Sequence, residues 1–140
     1  MVVACHTQHR LAGKKKIAVK QLAREPFVGF EADLVIRKKI DGFLRQHGVT
    51  PKVMLTFDNI EAVKRAVEVG SGVAILPRPT LEHELRTKAL AAVPFSGQGF
   101  VRPLGIVYRR GRQIYPNTKA FIELLQNGGV CPRGKERVKS

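Results

Sequence analysis

Tryptophan is missing from this 140-residue chain, and tyrosine occurs only twice. That argues against a surface that binds nucleic acid by stacking bases on aromatic rings. Cysteine is scarce as well. Cys5 and Cys131 stand near opposite ends of the sequence, which excludes a small disulfide scaffold and reads as an intracellular protein with free thiols. Long apolar runs are lacking, and no window approaches the ~20 residues of a membrane span. The apolar stretch Val2–Cys5 precedes His6, His9 and Arg10, the reverse of the order in a secretory signal. The expectation is a cytoplasmic protein with no membrane partner. Acidic residues are few, 11 against 25 Lys and Arg, for a formal charge of +14. A hydrophobic share of 44% is enough to bury a core, so wholesale disorder is excluded.

Short β-branched apolar runs alternate with amphipathic stretches. Val2–Cys5, Phe27–Phe30, Val53–Phe57, Val73–Leu76, Leu90–Val93 and Leu104–Tyr108 read as strands. Ile17–Ala23 reads as a strand end leading into one helical turn. Leu34–Gln46 reads as a helix with Ile36, Ile40, Phe43 and Leu44 on one face, closed by Gly48. A second helix carries Ile60, Val63 and Val67, with Asp58 as cap, Glu61 in the capping-box position and a Glu61–Arg65 surface pair. Thr80–Thr87 is a short helix. Pro116 opens a last one with Ala120, Phe121, Leu124 and Leu125 on its apolar face. The alternation predicts an α/β fold with a mostly parallel sheet and helices on both faces.

Catalytic chemistry finds little support. Ser71 lies in Gly70-Ser71-Gly72 after a helix, which suits a tight helix-to-strand turn and not a nucleophile elbow. Cys5, His6 and His9 match no zinc spacing, so no metal and no cofactor are expected. Glu31 and Asp33 are better read as charges at a helix start, with Asp33 as its cap, than as an acid–base pair. Neither glycine pair is followed by the Lys-Ser/Thr of a phosphate-binding loop. The Lys and Arg runs at 14–16, 37–39, 109–112 and 133–139 are dispersed. They leave one alternative open: a stand-alone basic protein that binds nucleic acid nonspecifically through phosphates.

The segment from Phe57 to Pro77, Phe57-Asp-Asn-Ile-Glu-Ala-Val-Lys-Arg-Ala-Val-Glu-Val-Gly-Ser-Gly-Val-Ala-Ile-Leu-Pro77, resembles the corresponding stretch of LysR-type transcriptional regulators. So does Leu22–Phe30. His9-Arg10-Leu11-Ala12 is similar to that family's His-Pro-Leu-Ala turn, with Arg10 in place of the proline. Val101–Tyr108 is similar to the strand that returns from the second subdomain to the first. The resemblance implies a non-enzymatic, periplasmic-binding-protein-like (type 2) effector domain. Two α/β subdomains joined by crossover strands would close on a small metabolite and alter how DNA is held.

It also implies boundaries. Residues 1–127 would form a partial effector domain, with the second subdomain at about 6–100, the return to the first at about 101–127, and a disordered basic tail at 128–140. Nothing here matches the family's helix-turn-helix, so DNA contact would need a segment not in this chain. A truncated reading frame, a mis-assigned start or a remnant gene would each account for that. Val2–Cys5 and 104–108 are then expected in one sheet whose other strands are missing, leaving an apolar patch prone to self-association. The effector is expected beyond the carboxyl ends of strands. The residues there are Phe30, Glu31, Asp33 and Leu34 after one strand, Asn59 and Ile60 after the next, and Leu76 and Pro77 after the third.

Overall fold

The structure is a computed structural model that describes residues 1–97, 99–101, 105–109, 111 and 113–127. The chain divides into two compact units, Met1–Arg102 and Pro103–Ser140. The first holds strands β1 (Val2–His6), β2 (Pro26–Phe30), β3 (Lys52–Phe57), β4 (Ala74–Leu76) and β5 (Leu90–Val93), and helices α1 (Val35–Gln46), α2 (Ile60–Glu68) and α3 (Glu82–Arg86). Short 3-10 turns at Val19–Arg24 and Arg78–Leu81 precede β2 and α3. The second unit holds α4 (Pro116–Gln126).

β2 and β3 pair in parallel, joined by α1. β1 lies between β4 and β5 and runs antiparallel to both. A parallel bridge between Phe27 and Val73 links the two sheets. The Val28 N–H donates to the Val73 carbonyl and the Val73 N–H to the Pro26 carbonyl, each at 2.8 Å. Four strands thus share a direction and β1 opposes them, so the expected mostly parallel pairing holds only for β2, β3 and the β2–β4 junction. Val2–Cys5, Val28–Phe30 and β4 are buried along their whole length, the pattern of strands covered on both faces.

The sequence placed Val2–Cys5 in a sheet with 104–108, and the structure corrects this. Val3, Ala4 and Cys5 are wholly enclosed among β4, β5 and α2. Residues 105–108 form no strand, because the described part of the second unit holds no other extended segment to complete a ladder. In the second unit Val107, Tyr108, Tyr115, Phe121 and Leu125 are exposed, and α4 has no buried residue. The expected tail at 128–140 lies outside the described residues, as does Leu104.

Two helix starts differ from expectation by one residue. Leu34, not Asp33, is the N-cap of α1 and supplies no side-chain bond. The turn closed by the Leu34 N–H on the Glu31 carbonyl, 3.2 Å, leaves Asp33 outside the cap position. Asn59, not Asp58, caps α2, its Oδ1 accepting the Ala62 N–H at 2.9 Å. The expected Glu61–Arg65 pair is replaced by Glu61–Lys64 at 2.9 Å and Arg65–Glu68 at 2.7 Å. Lys64 is drawn inward by a second carboxylate, Glu84, at 2.8 Å.

Helix ends follow one rule. After α1, Gly48 at φ +68 lets the Val49 N–H reach the Leu44 carbonyl at 2.9 Å. After α3 the same left-handed position falls to Lys88, at φ +58, with the Ala89 N–H on the Glu84 carbonyl at 2.9 Å. A side chain there is strained where glycine is not. Lys88→Gly is therefore expected to raise stability by about 1 kcal/mol, read as a higher urea midpoint at unchanged slope.

Candidate functional site

β2, β3 and β4 run the same way, and their carboxyl ends meet the first turns of α1 and α2. A cavity of about 510 Å³ opens there in the first unit, lined by Phe30, Leu34, Val35, Ile36, Asp58, Ile60, Pro77 and Thr80. Each comes from a strand end, the turn that follows it or the first turn of the next helix. Phe30 is buried at the end of β2, and Pro77 stops the β4 ladder because it has no N–H to donate. Val35 remains 69% exposed on the first turn of α1, an apolar side chain facing an open wall.

Among the residues read from sequence, Phe30, Leu34, Ile60 and Pro77 lie together on this wall. The others do not line it. Leu76 is wholly enclosed in the sheet. Glu31 and Asp33 are exposed in the turn before α1. Asn59 is taken up by capping, with its Nδ2 donating to Asp58 Oδ1 at 2.7 Å. Sequence reading missed Val35, Ile36, Asp58 and Thr80. Extending the strand-end rule by two residues on either side would have found all but Thr80. Ile36 was assigned wholly to the core stripe of α1.

Six of the eight lining residues are apolar, and neither Lys nor Arg is among them. The nearest guanidinium along α1, Arg37, is already engaged. Its Nε donates to both Asp41 oxygens at 2.9 and 2.8 Å, and Nη1 donates to the Phe30 carbonyl at 2.9 Å. Thr80 Oγ1 donates to the Pro77 carbonyl at 2.7 Å, and Lys64 Nζ donates to the Thr80 carbonyl at 3.3 Å. The Pro77–Thr80 lip is thus tied to the Lys64–Glu84 pair, both partners of which are buried.

A second polar cluster serves the scaffold. The Glu25 carboxylate, 4% exposed just before β2, meets His9 Nε2 at 3.2 Å and the Arg10 guanidinium. The arginine that departs from the family's proline therefore neutralises a buried acid. Burial, and then the charge of Glu25, pushes the Cys5 thiol up to about 11, so it is not a nucleophile at neutral pH. Among the described residues no group of three or more His, Cys, Asp or Glu side chains could hold a metal ion. Ser71 sits in the turn after α2, its N–H on the Ala66 carbonyl at 3.0 Å. Among the described residues no helix is long and apolar enough to cross a membrane.

Residues 1–129 match the LysR substrate binding domain family. The chain is 35% identical to a RuBisCO operon transcriptional regulator of Acidithiobacillus ferrooxidans, over 95% of its own length and 45% of the relative's. It is 34% identical to the RuBisCO operon transcriptional regulator of Allochromatium vinosum, over 89% and 41%. It therefore spans less than half the length of these curated relatives. Among solved structures, the regulatory domain of Synechocystis CcmR, in complex with 2-PG, shares the fold at TM-score 0.71 and 24% identity, covering 92% of this chain and 62% of that one. The effector binding domain of QuiR, in complex with shikimate, does so at 0.69 and 21%, covering 91% and 60%. These matches give no support to the alternative of a stand-alone nucleic-acid-binding protein.

Proposed function

This chain belongs to the LysR substrate binding domain family, and we infer that it is the part of a transcriptional regulator that senses a small-molecule effector, with no enzymatic activity of its own. The observation that carries this reading is the cavity at the ends of β2, β3 and β4, where open α/β sheets hold ligands. It is mostly apolar with a few polar groups, the usual make-up of a small-molecule pocket. The first-turn N–H groups of α1 receive no side-chain cap, so an effector's acceptor atom could take them. This wall contributes apolar contacts and the Asp58 and Thr80 polar atoms, but no cation for an ion pair.

One relative is seen with shikimate and another with 2-PG, and we place an effector of that size against this wall. Binding would bias the closure of two subdomains, of which this chain supplies one wall, and so alter how a regulator holds DNA in the cytoplasm. Sequence-specific DNA contact would run through the helix-turn-helix of such a regulator. Self-association would use the uncovered apolar face of the second unit.

Calorimetric titration of the chain with shikimate and with 2-PG tests the reading. Saturable heat is expected with at least one of them. Ile60→Trp, which fills the cavity mouth, is expected to weaken that binding more than tenfold while leaving the fold intact. Binding that ignores Ile60→Trp, or no heat with either probe at millimolar concentration, would overturn it.

A further inference from the structure

No acidic residue precedes Glu25, and Glu25 itself is buried, paired with the Arg10 guanidinium and 3.2 Å from His9 Nε2. In the stretch before it, Lys14, Lys15, Lys16, Lys20 and Arg24 are all exposed. None of the five has an acidic partner within ion-pair distance among the described residues; the ion pairs found involve Arg10, Arg37, Lys64, Arg65 and His9. The basic run on α1 differs in part. Arg37 is bound to Asp41, and Lys38 and Lys39 lie on a helix that also carries that acid.

The stretch is also held in place. Ile17 bridges Phe95 beyond the end of β5. Its N–H donates to the Pro94 carbonyl at 3.0 Å, and its carbonyl accepts the Ser96 N–H at 2.8 Å and Ser96 Oγ at 3.1 Å. Ile17, Val19 and Leu22 are buried while Lys16, Ala18 and Lys20 are exposed. Buried side chains thus anchor the segment and leave its cations outward. Residues 89–97, against which it docks, carry no charge at all, so that segment does not offset the ribbon's positive charge.

We propose that the ribbon Lys14–Arg24 is a contact surface for the sugar-phosphate backbone of duplex DNA, separate from the effector cavity. Unpaired cations that neutralise phosphates gain affinity by releasing counterions. The ribbon exposes no large apolar side chain, which a lipid surface would need as an anchor. It offers no aromatic ring for unstacked bases. Backbone contact on a duplex, without sequence preference, fits a ribbon of unpaired cations with no apolar or aromatic anchor.

The test is anisotropy of a labelled duplex of mixed sequence titrated with the full 140-residue chain over a salt series. Two triple variants remove equal charge: Lys14→Gln with Lys15→Gln and Lys16→Gln, and Lys38→Gln with Lys39→Gln and Arg45→Gln. The ribbon triple is expected to lower the slope of log affinity on log salt by about 2.7 and weaken binding more than tenfold at about 100 mM salt. The helix triple should weaken it less than threefold. Equal losses in the two triples, or tighter binding to vesicles of anionic lipid than to duplex, would overturn the proposal.

Discussion

Gly72→Ala is expected to destabilise the first unit by about 3 kcal/mol or more, moving the urea midpoint far more than any other single methyl group added at a glycine. A Cβ at this position would stand 2.4 Å from the Pro26 carbonyl oxygen and 2.8 Å from its carbon. Both are backbone atoms and cannot swing aside. The residue also sits at φ +151, where side chains are strained. The clash falls on the junction that joins the two sheets, where Val73 exchanges hydrogen bonds with Pro26 and Val28. Gly42 is the internal control. It lies inside α1 with nothing within 4 Å of an added Cβ, so Gly42→Ala is expected to stabilise by about 0.5–1 kcal/mol. If both substitutions shift the midpoint alike, the close approach at Gly72 is wrong.

Lys64→Met should cost about 3–5 kcal/mol, because it strands the buried Glu84 carboxylate without its partner. Lys64 is 6% exposed and Glu84 5%, and a salt bridge of 2.8 Å joins α2 to α3. Replacing both partners, Lys64→Met with Glu84→Leu, is expected to recover most of the loss, since removing a buried pair together is close to neutral. Burial is the largest single influence and opposes ionisation of Glu84, but the hydrogen bond from Lys64, a backbone hydrogen bond and the Lys64 charge together outweigh it and hold the carboxyl below its usual range. A lowered folded-state pKa gives stability that is full above the ordinary carboxylate value and is lost as pH falls through the folded one. The parent should therefore lose stability in acid more steeply than the double variant. Acid titrations of identical slope would show that the pair carries no such linkage.

The helices were legible because periodicity and burial report the same thing. Ile40, Phe43 and Leu44 recur on one face of α1, and that face is buried. β5 was found at its bounds for a similar reason, an apolar run between a turn and a proline. Strand pairing was not legible. Val2–Cys5 is apolar throughout, and a strand buried on both faces carries no alternation to reveal its neighbours or their direction. The cap of α2 slipped by one because Asp58 and Asn59 are equally good caps. The Glu61 spacing favoured Asp58, whereas β3 and the turn after it put Asn59 against the Ala62 N–H.

Half of the cavity wall could be read from strand ends alone, through Phe30, Leu34, Ile60 and Pro77. Thr80 could not, because it reaches the wall through a 3-10 turn held by Lys64, a residue sixteen positions away. The contact depends on tertiary structure and leaves no local pattern. Lys64 is turned inward by Glu84, twenty residues on.

The central claim is that a small molecule is held where β2, β3 and β4 end. Amide-resolved titration of the chain with shikimate and with 2-PG tests it most directly. Saturable shifts are predicted for residues 30–36, 58–60 and 77–80, with α4 unmoved. Saturable shifts centred on α4 or on the exposed face of β3, with those three turns silent, would contradict it.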